Sequence, residues 1–127
     1  MERLDSRAVE RISGPAWEGI RPQFNQIAEA ILSVAEDTKG ELTTIYIKYS
    51  GPSTRNRPYA VVWVKKSTEL VVGFSLPSVT ASPLLQAAPA GCKYAGLTKY
   101  FVIRPGDSVP PDVTDWARQA YENAKQQ

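Results

Sequence analysis

The feature that most constrains this chain is a change in the spacing of its apolar residues near Leu42. Before that point, apolar residues from Trp17 to Ala35 recur at steps of three and four, the spacing of a helix that buries one face. Beyond it, β-branched and aromatic residues follow a strand pattern in "LTTIYIKY", "YAVVWVKK", "ELVVGFSL" and "LTKYFVIR". A helical stripe returns from Val113 to Ala124. The chain is therefore predicted to be an α+β protein.

The predicted architecture has two layers, with an antiparallel sheet of four or more strands and the N- and C-terminal helices packed on one face. Pro22 is expected in the first turn of the main helix, after a separate short turn around Trp17, and Gly40 is expected to end that helix. The short "KST" connection predicts a hairpin between the strands that flank it.

Two further segments are less regular. Residues 1–13 predict a flexible arm or a short helix capped by Asp5-Ser6. Residues 77–96 are rich in proline and small residues, with one helical turn expected at "PLLQAA", and loops of this length are often functional or mobile. With 127 residues, the chain is expected to form a single domain, 1–127.

The residue types exclude several chemistries. The chain has no histidine and one cysteine, Cys92, whereas imidazole is the usual proton shuttle near neutral pH and a common ligand of transition metals. One cysteine cannot hold a zinc ribbon or an iron–sulfur cluster, and no Gly-rich phosphate loop or calcium loop is present. We expect a protein without enzymatic activity, cofactor or metal, in which Cys92 is an inert small side chain.

The N-terminal residues and the hydropathy predict where the protein resides. The first residues, "MERLDSRAVERISG", lack the apolar stretch of a secretory signal. No apolar run approaches the roughly 20 residues that cross a bilayer, and a lone cysteine agrees with a reducing compartment. We expect a cytoplasmic protein that does not contact membranes.

The charges are distributed unevenly along the chain. Residues 42–104 hold eight basic residues and one acidic residue, Glu69, a net charge of +7. The flanking, mostly helical segments hold seven basic and twelve acidic residues, a net charge of −5. The predicted sheet half is therefore positive and the helix half negative.

Strand alternation assigns side chains to the two faces of the sheet. The more aliphatic set is expected to lie beneath the helices: Ile45, Ile47, Val62, Val64, Leu70, Val72, Phe74, Phe101 and Ile103. The other face collects rings and cations, and we expect it to be uncovered. The predicted ligand-binding residues are Tyr46, Lys48, Trp63, Lys65, Tyr100 and Arg104 on that face, with Arg55 and Arg57 at its rim.

An uncovered face with rings and cations suits nucleic acid, because rings stack on bases and cations neutralise phosphates. The first hypothesis is therefore a non-catalytic binding module for nucleic acid or another anionic partner. The alternative is a structural or protein-interaction role, in which Tyr46 and Trp63 pack beneath the 77–96 loop or form a homodimer or host-domain interface. A smaller candidate is the "GPSTRNRP" loop, in which Ser53, Thr54, Arg55 and Arg57 could bind an anion.

Three stretches, "YIKYSG...RPYAVVWVKKSTELVVGFSLP", "GLTKYFVI" and "PDVTDWARQAYENA", resemble the bacterial family named domain of unknown function 5655. The resemblance covers residues 15–125 and includes Gly96-Leu97-Thr98 before the last strand and Ala120-Tyr121-Glu122 in the final helix. It implies a frataxin-like order of helix, antiparallel sheet and helix, and no biochemical activity. Many relatives have a histidine where this chain has Lys99. The acidic ridge that binds iron in frataxin has no counterpart in the basic sheet region, so neither role carries over.

Overall fold

The computed structural model of the protein describes residues 3–126 and confirms the α+β fold. Five strands form one antiparallel sheet in the order β1-β2-β3-β4-β5. The helices pack against one side of this sheet, which we call the inner face; the other side is the outer face. The elements are α1 (Ser6–Arg11), a 3₁₀ turn (Pro15–Trp17), α2 (Arg21–Leu32), β1 (Lys39–Thr43), β2 (Tyr46–Ser50), a 3₁₀ turn (Pro52–Thr54), β3 (Ala60–Lys66), β4 (Glu69–Phe74), β5 (Lys99–Ile103) and α3 (Val113–Lys125).

The N-terminal region forms the short helix α1 rather than an arm. The side chain of Asp5 caps it by accepting a hydrogen bond from the Arg7 backbone N–H at 3.0 Å. The segment before the helix covers the edge of β1, because Asp5 N–H donates to the Gly40 carbonyl at 2.8 Å and Gly40 N–H donates to the Arg3 carbonyl at 3.0 Å. Within residues 3–126, no helix is long and apolar enough to cross a bilayer.

Helix α2 begins as the sequence predicts but ends earlier. Pro22 lies in its first turn and Trp17 lies in the separate 3₁₀ turn. The prediction that Gly40 ends the helix is wrong: the helix ends at Leu32 and Gly40 lies in β1. A Cβ atom on Gly40 would lie 2.8 Å from Tyr49 Cε1, so the packing of the Tyr49 ring across the strand pair requires glycine here.

The stretch "LTTIYIKY", predicted as one strand, is a hairpin of β1 and β2 that turns at Thr44 and Ile45. Thr44 has a φ of 48°, in the left-handed region that such tight turns use. The turn interrupts the strand alternation, so Ile45 packs with the outer face and not beneath the helices as predicted. The sheet therefore gains a fifth strand.

The inner face holds the main core of the protein. Apart from Ile45, the residues predicted to lie beneath the helices are all buried there. Three rings meet at its centre: the centroid of Phe101 lies 6.1 Å from that of Phe74 and 5.6 Å from that of Trp116 on α3. These residues anchor β4 and β5 to α3, which fixes the position of the strands that carry the outer face.

Candidate functional site

The predicted rings lie on the outer face, as strand alternation requires. In the strand register, Tyr46 is opposite Trp63, and Gly73 is opposite Tyr100. The ring centroids of Tyr46 and Trp63 are 5.9 Å apart, and those of Trp63 and Tyr100 are also 5.9 Å apart. The sheet thus brings the three predicted aromatic residues together in one continuous row.

The prediction that this face is uncovered is wrong. Trp63 is 3% exposed and Tyr100 is 1% exposed, because the connection between β4 and β5 folds over them. We call residues 75–98 the covering loop; it places Cys92 and Leu97 in one buried cluster with the rings, and Tyr94 at the margin of that cluster. The residues of this face therefore pack beneath the loop, the arrangement that the sequence offered as the alternative to an open face.

Tyr100 holds the covering loop in place. Its backbone exchanges two hydrogen bonds with Gln86, from Gln86 N–H to the Tyr100 carbonyl at 2.8 Å and from Tyr100 N–H to the Gln86 carbonyl at 2.9 Å. Its phenol oxygen accepts a hydrogen bond from Tyr94 N–H at 3.1 Å and donates to the Leu97 carbonyl at 3.2 Å. Burial raises the pKa of Tyr100, so the phenol is neutral and able to donate. The ring lies over Gly73, where a Cβ atom would be 2.5 Å from Tyr100 Cε2.

The cations of this half of the chain remain at the surface. Six of the eight are exposed, while Lys48 and Lys99 are half-buried. The single acid of the segment, Glu69, pairs with Arg104, with Glu69 Oε2 at 3.9 Å from Arg104 Nη2. The exposed six are Arg55, Arg57, Lys65, Lys66, Lys93 and Arg104.

The fold does not gather the predicted cations in one place. Lys65 and Arg104 lie at the end of the sheet formed by the β3–β4 turn and the end of β5, which we call the hairpin end. Arg55 and Arg57 lie in the loop between β2 and β3, at the opposite end. Lys48 lies between them on β2, opposite Val61. The predicted set is therefore a positive surface along the sheet and not a compact site.

The loop between β2 and β3 does not offer Ser53 and Thr54 to an anion. Asp37 Oδ2 accepts hydrogen bonds from Ser53 N–H at 2.8 Å and from Ser53 Oγ at 2.5 Å, and these bonds lower the pKa of the Asp37 carboxyl. The Thr54 hydroxyl donates to the Arg57 carbonyl at 2.9 Å. The anion position predicted in this loop is thus occupied by a carboxylate of the chain itself.

The hairpin end contains a cavity of about 70 Å³ that the sequence did not reveal. We call it the hairpin cavity; it is lined by Trp63, Lys65, Lys66, Glu69, Val71, Ala90 and Cys92. Lys65 and Lys66 are consecutive, and a regular strand would send them to opposite faces. The sequence shows two adjacent lysines. Only the structure shows the irregularity in β3 that places both of them at one cavity.

Burial disfavours the reactive form of the thiol in this cavity. Cys92 is buried, and burial raises its pKa, as does the nearby Glu69 carboxylate. The lysines at positions 65 and 66 oppose this shift without overcoming it. Because the thiolate is the reactive form, the raised pKa lowers the reactivity of Cys92, which lines the cavity as a small side chain.

Comparison of this chain with protein-family models, with curated proteins and with solved structures gave no match. The resemblance to domain of unknown function 5655 therefore remains a prediction from the sequence pattern. Within residues 3–126, no group of three or more cysteine, aspartate or glutamate side chains is placed to hold a metal ion. The function has to be inferred from the residues of this chain.

Proposed function

We propose that the protein is a non-catalytic module that binds nucleic acid through its phosphate groups. The observation that carries the proposal is the concentration of positive charge in one segment: residues 42–104 have a net charge of +7, and six of their eight cations are exposed. A surface of this kind attracts a polyanion and gains affinity by releasing its condensed counterions.

The buried rings determine the kind of contact. Because Trp63 and Tyr100 are covered by the chain itself, the outer surface offers a nucleic acid mostly ammonium and guanidinium groups. Contacts to phosphate fix position and affinity but carry little sequence information. We expect binding that depends strongly on salt and weakly on base sequence.

The test is the fluorescence anisotropy of labelled single- and double-stranded oligonucleotides at several salt concentrations between 50 and 200 mM. We expect the logarithm of the association constant to fall linearly with the logarithm of salt, with a slope of about −0.7 per phosphate contacted on a single strand. Lys65→Gln combined with Lys66→Gln should weaken binding and make the slope shallower. Arg118→Gln combined with Lys125→Gln, which removes two exposed cations from α3 on the other layer, is the matched control. Absence of binding at 50 mM salt, or binding insensitive to salt, would contradict the proposal.

A protein-interaction role is the second candidate, and the covering loop favours it. Val79 is 86% exposed and Leu84 is 51% exposed, both on this loop, and large exposed apolar residues can mark contact surfaces. In this case the partner would contact the outside of the loop and not the sheet beneath it. Light scattering would then report a dimer that high salt does not dissociate and that Leu84→Ser weakens.

A further inference from the structure

We propose that the hairpin cavity binds a single phosphate group in its dianionic, phosphomonoester form, such as the 5′-terminal phosphate of an oligonucleotide. This inference deepens the proposed function and rests on it for the source of the phosphate. Lys65 and Lys66 would bind the phosphate oxygens, and Trp63 and Val71 form the apolar wall of the cavity.

A β-bulge brings the two lysines to one cavity. The register between β3 and β4 shifts by one residue between the Trp63–Val71 pair and the Lys66–Glu69 pair. A bulge of this kind re-aims side chains and is common beside functional sites. The consequence here is specific: two adjacent ammonium groups, which a regular strand would separate by the thickness of the sheet, line the same space.

The bulge is held from the helix layer by Arg11. Its guanidinium donates to the Val64 carbonyl from Nε at 3.2 Å and from Nη2 at 3.1 Å, and Nη2 also lies 3.4 Å from the Lys65 carbonyl. Arg11 itself lies over the ring of Trp17, with Cζ 6.0 Å from the ring centroid. The carbonyls that the bulge removes from the regular ladder are thus satisfied by α1, and the lysine backbone is fixed before any ligand arrives.

The charge of the cavity matches a dianion. Lys65 and Lys66 bring two positive charges to the lining, and Glu69 brings one negative charge. The Glu69 carboxylate lies 3.9 Å from Arg104, which is outside the lining and offsets its charge. The two lysines therefore complement a phosphomonoester, which carries about −1.5 to −2 at pH 7. A phosphodiester within a strand carries a single charge and is bonded to sugars on both sides, so it fits the site less well in charge and in shape.

The size of the cavity admits one phosphate group. Its volume of about 70 Å³ is several times the roughly 10–15 Å³ that one water molecule needs on the same measure. That space holds a compact oxyanion. We expect the group that enters to be the end of a nucleic acid or a free phosphate, with the rest of a strand lying on the positive surface outside.

The experiment compares oligonucleotides of one sequence that carry either a 5′-phosphate or a 5′-hydroxyl, together with inorganic phosphate. Because the 5′-hydroxyl form lacks the charge-assisted hydrogen bonds to the lysines, we expect the 5′-phosphate form to bind about tenfold more tightly. Inorganic phosphate should compete for the cavity and so remove the difference in affinity between the two oligonucleotides. It should also shift the indole N–H signal of Trp63 in a two-dimensional NMR spectrum. That signal is assigned with Trp63→Phe.

Substitutions distinguish phosphate binding in the hairpin cavity from a general effect of positive charge on oligonucleotide affinity. Lys65→Gln with Lys66→Gln should abolish the preference for the 5′-phosphate. Arg118→Gln with Lys125→Gln on α3 removes the same amount of charge and should preserve the preference. Arg11→Gln acts as a positioning variant: it leaves both lysines in place, and we expect it to reduce the preference by releasing the bulge. A preference that survives the double lysine substitution would overturn the site.

The outcomes distinguish the site from the proposed function. Equal affinity for the two oligonucleotides, with a steep dependence on salt, would overturn the phosphate site and leave the general nucleic-acid function standing. A Trp63 shift with inorganic phosphate, without any binding of oligonucleotides, would support the site with free phosphate as its ligand and overturn the nucleic-acid function. Absence of both signals would overturn both proposals.

Discussion

The inner and outer faces of the same sheet are covered in different ways. The inner face packs against three helices and its centre is closed by the rings of Phe74, Phe101 and Trp116. The outer face is covered by one loop without a helix or strand, residues 75–98. The loop hydrogen-bonds to Tyr100 and, nearer its start, to Tyr59, Gln119 and Asn123. Local opening requires fewer buried contacts and fewer backbone hydrogen bonds to be lost than global unfolding. We therefore expect the inner face to determine global stability and the outer face to loosen locally.

The largest expected effect comes from the inner face. Phe74 is fully buried, with its ring centroid 6.1 Å from that of Phe101 and 6.4 Å from that of Trp116. Phe74→Ala removes this ring from a site that three elements hold rigid, so we expect a loss of about 4 kcal/mol in the free energy of unfolding. Urea denaturation measures it, and Phe74→Leu, which retains most of the volume, is the milder control. A loss below about 1 kcal/mol would contradict the prediction that the inner face determines global stability.

A substitution at the adjacent residue tests the outer face. A Cβ atom on Gly73 would lie 2.5 Å from Tyr100 Cε2 and 2.8 Å from Tyr100 Cδ2, so Gly73→Ala must displace the ring that holds the covering loop. Overpacking of this kind costs about 1–3 kcal/mol. We expect the buried Cys92 to react faster with a thiol reagent under native conditions, because the loop opens more often.

Gly14→Ala is the control for this variant. No atom lies within 4 Å of a Cβ atom placed there, and Gly14 has a φ of −71°, which any residue adopts. Stability and the rate of Cys92 modification should both remain close to those of the unsubstituted protein. An unchanged Cys92 rate in Gly73→Ala would show that Tyr100 can move without opening the loop.

The sequence predicted the inner face well because that face obeys one rule along each strand. Alternation placed Val62, Val72 and Phe101 correctly, and all of them are buried beneath the helices. The rule failed at Ile45, where the left-handed Thr44 turns the chain. A single propensity pattern could not reveal that turn, because "LTTIYIKY" contains no glycine or asparagine to mark it.

The candidate site was predicted only in part. Alternation put Tyr46, Trp63 and Tyr100 on one face but says nothing about what covers a face, and the covering loop has no periodicity from which its path could be read. Likewise, the approach of Lys66 to Lys65 depends on a bulge held by hydrogen bonds from Arg11, far away in the sequence. Such long-range contacts lie outside any local pattern.

A matched pair of substitutions compares the two faces of the sheet through smaller changes in stability. Val71 and Val72 are neighbours on β4, the first buried in the outer cluster and the second in the inner core. Changing either valine to alanine removes the same two methyl groups. The difference between the two losses in the free energy of unfolding therefore shows how far the surroundings of each valine relax to fill the cavity. We expect Val72→Ala to cost about 1 kcal/mol more than Val71→Ala in the free energy of unfolding, measured by urea denaturation. Equal losses would mean that the loop is as rigid as the helices.

The smallest effect concerns alkaline pH and the buried tyrosines, Tyr49 and Tyr59 in the inner core and Tyr100 beneath the loop. Burial raises the pKa of Tyr59 from 10.0 to about 12, and it also raises the pKa of Tyr49 and of Tyr100. All three phenols are neutral in the folded protein at pH 7, whereas in the unfolded chain they lose their protons near pH 10. The unfolded state then binds fewer protons, so stability is fully present below pH 10 and falls as the pH rises toward 12.

Removing one phenol should flatten this dependence. Tyr59→Phe loses the hydrogen bonds to Thr38 Oγ1 at 2.9 Å and to the Ile31 carbonyl at 3.2 Å, so we expect it to be about 1 kcal/mol less stable at pH 7. Between pH 10 and 12, however, its free energy of unfolding should decline less steeply than that of the unsubstituted protein. Tyr100→Phe should flatten the curve less and should instead speed the modification of Cys92, because its phenol holds only the loop. Parallel stability curves for all three proteins would show that neither phenol is buried in solution as it is in the structure.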